Sequence, residues 1–276
     1  MLPPDRARRY PGSAAVTTPV IGWTRANPTL TGRTQRRNPR RVRFDRDQRA
    51  GGRMLYAVSK RILDAVARTV YRPTVIDADK VPATGPVILA PNHLAVLDSF
   101  IVPLVLPRPV AFLAKAEYFQ GTGAKGALTK WLFSSLGAIP VERGRGRAAK
   151  EALDAAEQVL RSGGAFGIHP EGTRSPDGRL YRGRTGVARL ALSTGAPVVP
   201  VALTGTDKLQ PRGKKIPRRH PVTVRFGEPL DFGRYSGMES SLPVLRSITD
   251  EIMYAIAELS EQEYVDRYQR PGAAAA

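Results

Sequence analysis

Between residues 87 and 226 the chain alternates short apolar runs with stretches of helical periodicity. Val87–Ala90, Val110–Leu113, Ala138–Val141, Ala165–Ile168, Val198–Leu203 and Val222–Phe226 read as strands. Asp98–Leu106 (interrupted near Pro103), Ala124–Leu136, Arg147–Arg161, Thr185–Ser193 and Leu242–Tyr264 read as helices. Strands that are apolar throughout, with helices between them, predict an α/β fold. Its sheet is largely parallel or mixed and covered by helices on both faces. In such a sheet the turns after successive parallel strands open at one edge, where ligands bind.

Three polar turns follow these strands. The first is Asn92-His93-Leu94-Ala95-Val96-Leu97-Asp98, which carries one of only three histidines. On a continuous helix residues five apart point about 140° away from each other. His93 and Asp98 can meet only if the histidine lies in a turn and the aspartate in the first helical turn. The carboxylate then holds one ring nitrogen protonated and leaves the other to accept a proton. By itself the pair also fits a purely structural contact.

The second turn, Ile168-His169-Pro170-Glu171-Gly172-Thr173-Arg174-Ser175, joins a flexible glycine to an arginine able to fork onto phosphate or carboxylate. Read alone, it is also an ordinary polar turn with a local Glu–Arg pair. The third, Gly137-Ala138-Ile139-Pro140-Val141-Glu142-Arg143-Gly144, brings another arginine toward the same edge. Val198-Val199-Pro200-Val201-Ala202-Leu203 is an apolar core strand.

The formal net charge is +19. Residues 1–53 hold 13 Lys/Arg against three Asp/Glu, a net +10, which leaves +9 for the rest. Residues 1–52 lack apolar periodicity and are expected to be a disordered basic tail. Residues 53–268 form the folded domain, and 269–276 a frayed end. Residues 54–71 place Met54, Leu55, Val58, Ile62, Ala65, Val66 and Val70 on one side of a helical wheel and mostly cations on the other. This N-terminal amphipathic helix fits docking on the domain or lying in a membrane interface. No signal peptide or uninterrupted apolar span is visible, so attachment to the cytoplasmic face of a membrane would be peripheral. The chain has no cysteine, which excludes disulfides and thiolate nucleophiles.

Taken together and in order, NHLAVLD, GAIPVER, HPEGTRS and VVPVAL resemble the four motifs of the glycerolipid acyltransferase family, which includes 1-acylglycerol-3-phosphate acyltransferases. The resemblance covers about residues 80–230 and implies the glycerol-3-phosphate-acyltransferase-like fold. It implies an O-acyltransferase of phospholipid biosynthesis, moving a fatty acyl group from acyl-CoA or acyl-carrier protein to a lysophospholipid hydroxyl. The acceptor it points to first is 1-acylglycerol 3-phosphate, giving phosphatidic acid. Glycerol 3-phosphate, another lysophospholipid or a glycolipid remain open as acceptors. Through the resemblance, His93 is the general base and Asp98 its orienter. Arg143, Glu171, Gly172, Thr173 and Arg174 hold the acceptor phosphate, with Lys115 added from between the first two motifs. No metal or cofactor is implied beyond the acyl donor as co-substrate. His169 stands where the family usually carries a bulky apolar residue and is expected to serve in the pocket wall.

The basic excess leaves two kinds of partner to weigh. Lys208, Arg212, Lys214, Lys215, Arg218 and Arg219 suit an anionic membrane surface, CoA phosphates or an acidic carrier. Nucleic acid is the remote alternative. It is disfavoured because aromatics total only 7% and do not interleave with the cations. A membrane-binding protein of the same fold without activity is disfavoured by the presence of both His93 and Asp98.

Overall fold

A computed structural model describes residues 73–135, 137–141, 147–214 and 216–269. The expected basic tail, the 54–71 helix and Arg143 lie outside the described residues. The central feature is a seven-stranded sheet of order β1-β8-β7-β2-β5-β3-β4. Its strands are β1 (Thr74–Ile76), β2 (Val87–Pro91), β3 (Val110–Lys115), β4 (Ala138–Val141), β5 (Ala165–Gly167), β7 (Val198–Thr204) and β8 (Thr223–Phe226). The block β7-β2-β5-β3-β4 is parallel, and β8 runs antiparallel to β7 with β1 parallel to β8. The sheet is therefore mixed. The helices are α1 (Asp98–Val105), α2 (Gly123–Ser135), α3 (Arg147–Arg161), α4 (Gly186–Thr194), α5 (Thr206–Leu209) and α6 (Leu242–Ser260).

Strand alternation divides the interior into two cores. Ile88, Ala90, Phe166 and Val198 face one side, packed with Leu160 of α3, Val187 of α4 and Ile248 and Ile252 of α6. Val87, Leu89, Phe112, Val199 and Val201 face the other, packed with Val102 of α1 and Leu209 of α5. Every residue of β2 is buried, as a strand covered on both faces requires. β5 ends at Gly167 for a packing reason. A Cβ there would stand 2.0 Å from the Phe112 ring of the neighbouring strand.

Two expectations change at the C-terminus. The last helix ends at Ser260, not Tyr264, because Glu261 turns left-handed (φ 57°) and its N–H caps the Ala257 carbonyl. Tyr264–Val265 (β9) instead pairs with Leu180–Tyr181 (β6) as a small parallel ribbon. Gln269, expected to begin the frayed end, is buried. Near the start of the domain, α1 runs through Pro103 without a break.

The early stop of α6 frees Gln262 to reach Asn92, which is fully buried. The Asn92 amide donates to the Leu203 carbonyl at 3.0 Å and to Gln262 Oε1 at 2.7 Å. Its oxygen accepts the Leu203 N–H at 2.8 Å. One side chain thus ties the end of β2 to the end of β7. Replacing Asn92 with Ala strands these buried groups. Urea denaturation of the variant is expected to show a loss of about 3 kcal/mol, given the ~1–3 kcal/mol cost of each unpaired buried group.

Candidate active site

The site forms where β2 gives way to α1. Residues 92–97 are a turn and Asp98 opens the helix, so the His93 ring and the Asp98 carboxylate meet as their spacing requires. Nδ1 of His93 lies 3.0 Å from Oδ2 of Asp98. The same oxygen accepts the backbone N–H groups of Leu94 (2.6 Å) and Ala95 (2.7 Å). Three donors on one oxygen fix the carboxylate and make Nδ1 the protonated ring nitrogen. Burial pushes the Asp98 carboxyl up, while the backbone donors and the Thr206 hydroxyl act in the opposite direction. Oδ1 of Asp98 and the Thr206 hydroxyl are both buried without a well-aligned hydrogen bond.

The backbone of His93 is clamped from the second turn. Its N–H donates to Oε1 of Glu171 at 2.9 Å, and its carbonyl accepts the Ser175 N–H at 2.7 Å. The other Glu171 oxygen takes the Tyr181 N–H at 3.0 Å. Glu171 is only 2% exposed, and both oxygens serve the backbone. The structure therefore places it beneath the site as a strut, not in the cleft as a phosphate ligand. Burial pushes its pKa up to about 8, against the pull of the two N–H donors.

His169 forms a wall. Its ring stacks on His93 with centroids 3.8 Å apart and planes 10° from parallel. Its Nδ1 lies 3.2 and 3.1 Å from the carbonyls of Pro91 and Asn92, and its Nε2 lies 3.0 Å from the Ser99 hydroxyl. Nδ1–H can only donate there, which leaves Nε2 to accept from Ser99. Burial and the neighbouring His93 hold its pKa down at about 3, so the ring is neutral. With both nitrogens engaged, it serves as a polar version of an aromatic wall.

The cleft in front of His93 has one apolar side, built by Phe100, Phe112, Tyr118 and Phe133. Phe133 of α2 gathers it, edge-on to Phe100 at 4.9 Å and stacked on Tyr118 at 4.6 Å. Arg174 lines the same cleft, and no ion pair binds it among the described residues. Gly172 turns left-handed (φ 72°), and a Cβ there would press on Arg184 at 2.9 Å. Its N–H is bonded to the His169 carbonyl at 3.0 Å. The N–H groups of His93, Leu94, Ala95 and Gly172 are therefore spoken for within the protein. Thr173 is half-buried next to Arg174. Lys115 ends β3, paired with Val141.

Known enzymes are similar to this chain over the span that holds these residues. A family model described as Acyltransferase matches residues 72–204. Over that span the chain is similar to the acyltransferase family. A chloroplastic 1-acyl-sn-glycerol-3-phosphate acyltransferase of Brassica napus is 30% identical over 146 residues, covering 52% of this chain and 41% of the relative. The enzyme of that name from Borreliella burgdorferi is 32% identical over 133 residues, covering 48% and 51%. The chain thus spans about two-fifths to one-half of the length of these curated relatives. The crystal structure of the 1-acyl-sn-glycerophosphate acyltransferase PlsC from Thermotoga maritima superposes with a TM-score of 0.58 at 26% identity, covering 78% of this chain and 84% of that one.

Asn92, Ser99 and Thr206 escape the sequence reading, as does the strut role of Glu171. Asn92 alone left a signal, an amide next to the histidine at the end of an apolar run.

Two outcomes follow from this geometry. The Glu171 proton is bound more tightly in the folded chain (about 8) than in the unfolded chain (4.5). Stability should therefore fall as pH rises through that window. Thermal melts of the wild type are expected to show that slope, and melts of Glu171→Gln to lose it. His169→Phe keeps the stack and forfeits its hydrogen bonds. Its turnover is expected to stay within about tenfold of wild type; a loss as deep as that of a His93 variant would show His169 to be a base.

Proposed function

We propose that this protein transfers a fatty acyl group from a thioester donor, acyl-CoA or acyl-carrier protein, to the free hydroxyl of 1-acylglycerol 3-phosphate, giving phosphatidic acid. The observation that carries this reading is the His93–Asp98 pair at a cleft lined both by aromatic side chains and by Arg174. The names of the relatives supply the acceptor.

The acceptor hydroxyl gives its proton to Nε2 of His93 as its oxygen attacks the thioester carbonyl. Asp98 stabilises the resulting imidazolium through Nδ1–H. Collapse of the tetrahedral intermediate expels the thiolate, which takes the proton back from His93. The nucleophile is the lipid's own oxygen, so the protein needs neither a serine nor a cysteine of its own. Arg174 pairs with the acceptor phosphate and fixes the hydroxyl against the base, which is where positioning adds most. The aromatic wall receives acyl methylenes. Neutral His169 leaves the imidazolium unopposed by a second charge. No metal or cofactor takes part in these steps.

The lipid substrates require a membrane surface. No described helix is long and apolar enough to cross one. We place the protein at the surface, held peripherally, with the cationic segments toward anionic lipid.

Changing His93 to Ala is expected to lower transfer to lysophosphatidic acid by roughly 10²–10⁴-fold, the usual contribution of a general base. Circular dichroism of the variant should match wild type. Transfer at the wild-type rate would refute the assignment.

A further inference from the structure

The segment joining β7 to β8 leaves the sheet at the edge that carries His93. It starts at Thr204, the C-terminal end of β7, and returns at Thr223 on the antiparallel β8. Its root borders the catalytic turn, since Leu94, Thr204, Lys208 and His220 line one shallow cleft. Two buried side chains, Leu209 and Val222, anchor its ends. Between them the chain makes a compact excursion. The Lys214 N–H bonds to the Pro211 carbonyl at 3.0 Å around left-handed Gly213, and the Arg218 N–H closes back on Leu209 at 2.7 Å.

The excursion presents one apolar side chain among cations. Ile216 is 81% exposed, the most of any large apolar side chain among the described residues. Residues 208–219 contain six cations and no acid. Lys208, Arg212, Lys214, Arg218 and Arg219 are exposed. The two backbone hydrogen bonds brace the described loop residues on either side of Ile216.

We propose that the 210–219 loop is a membrane anchor, inserting Ile216 among the acyl chains of an anionic bilayer while the surrounding cations engage lipid phosphates. An apolar tip ringed by Lys and Arg matches the headgroup–acyl boundary. Nucleic acid fits poorly, because residues 205–222 contain no Phe, Tyr or Trp on which a base could stack. The position at the root of the site gives the anchor its purpose. It sets the cleft against the bilayer that holds the acceptor. The purpose rests on the lipid-acceptor reading above; the binding itself does not.

The chain contains no cysteine, so Ile216→Cys in the full-length protein takes a single environment-sensitive fluorophore. Its emission is expected to shift to the blue on phosphatidylglycerol vesicles, to be quenched by brominated acyl chains, and to stay unchanged on phosphatidylcholine vesicles. Neutralising Lys214, Arg218 and Arg219 together to Gln should weaken vesicle partitioning about 100-fold, taking roughly fivefold per cation. Turnover of a soluble short-chain lysophosphatidic acid should be preserved. Unshifted emission while the protein still sediments with the vesicles overturns the anchor, as does an equal shift on neutral vesicles. A shift caused by an acidic carrier protein alone would also overturn it. None of these outcomes depends on His93, whose variant tests the chemistry separately.

Discussion

The site depends on the backbone clamp around His93. Its N–H is held by Glu171 and its carbonyl by Ser175, both from the turn after β5. One residue earlier, Asn92 is bonded to Leu203 on β7. The turn after the central strand is therefore stitched to the ends of both its neighbours. With the main chain fixed, Asp98 needs to settle only the rotation of the ring, and stacked His169 limits its tilt. Such support from neighbouring elements is what a general base requires, since small displacements of a reacting group are costly.

The clamp also explains why the sheet is built as it is. β2 lies at the centre, buried on both faces, with β5 and β7 parallel on either side. Parallel pairing brings all three carboxyl ends to one edge. Gly167 lets the Phe112 ring pass over β5, and that ring also meets His169, at a centroid distance of 5.6 Å. The apolar wall of the cleft and the wall behind His93 are thus one packed surface. Burial raises the Glu171 carboxyl to about 8 and so makes the clamp a costly group to keep charged. Positioning of His93 is obtained at the expense of stability as pH rises from 4.5 to about 8.

Much of this was legible in the residues. The apolar runs located β2, β3, β4, β5, β7 and β8 to within two residues at each end, because each lay in a mostly apolar run of at least four residues, and α3 matched at both ends because fifteen residues show a helical period. β1, β6 and β9 have two or three residues each, too few to carry a pattern; pairing alone defines them. The five-residue step from His93 to Asp98 dictated a turn followed by a helix start, and the structure has both. Glu171 was harder. A glutamate in a Gly-Arg turn looks solvent-facing, and only the tertiary burial of its carboxylate shows that it serves the backbone. Thr206 and Ser99 are small hydroxyls whose importance lies in what packs beside them, which no local pattern encodes.

The proposed chemistry turns on His93 being held as the tautomer with Nδ1 protonated, with Nε2 as the proton acceptor. With only three histidines in the chain, ¹⁵N NMR of the imidazoles can resolve it directly. In neutral His93 the spectra are expected to show a proton on Nδ1 in a strong hydrogen bond and an unprotonated Nε2, with Asp98→Asn disturbing that pattern. A proton found on Nε2 of His93, unchanged in Asp98→Asn, would contradict it.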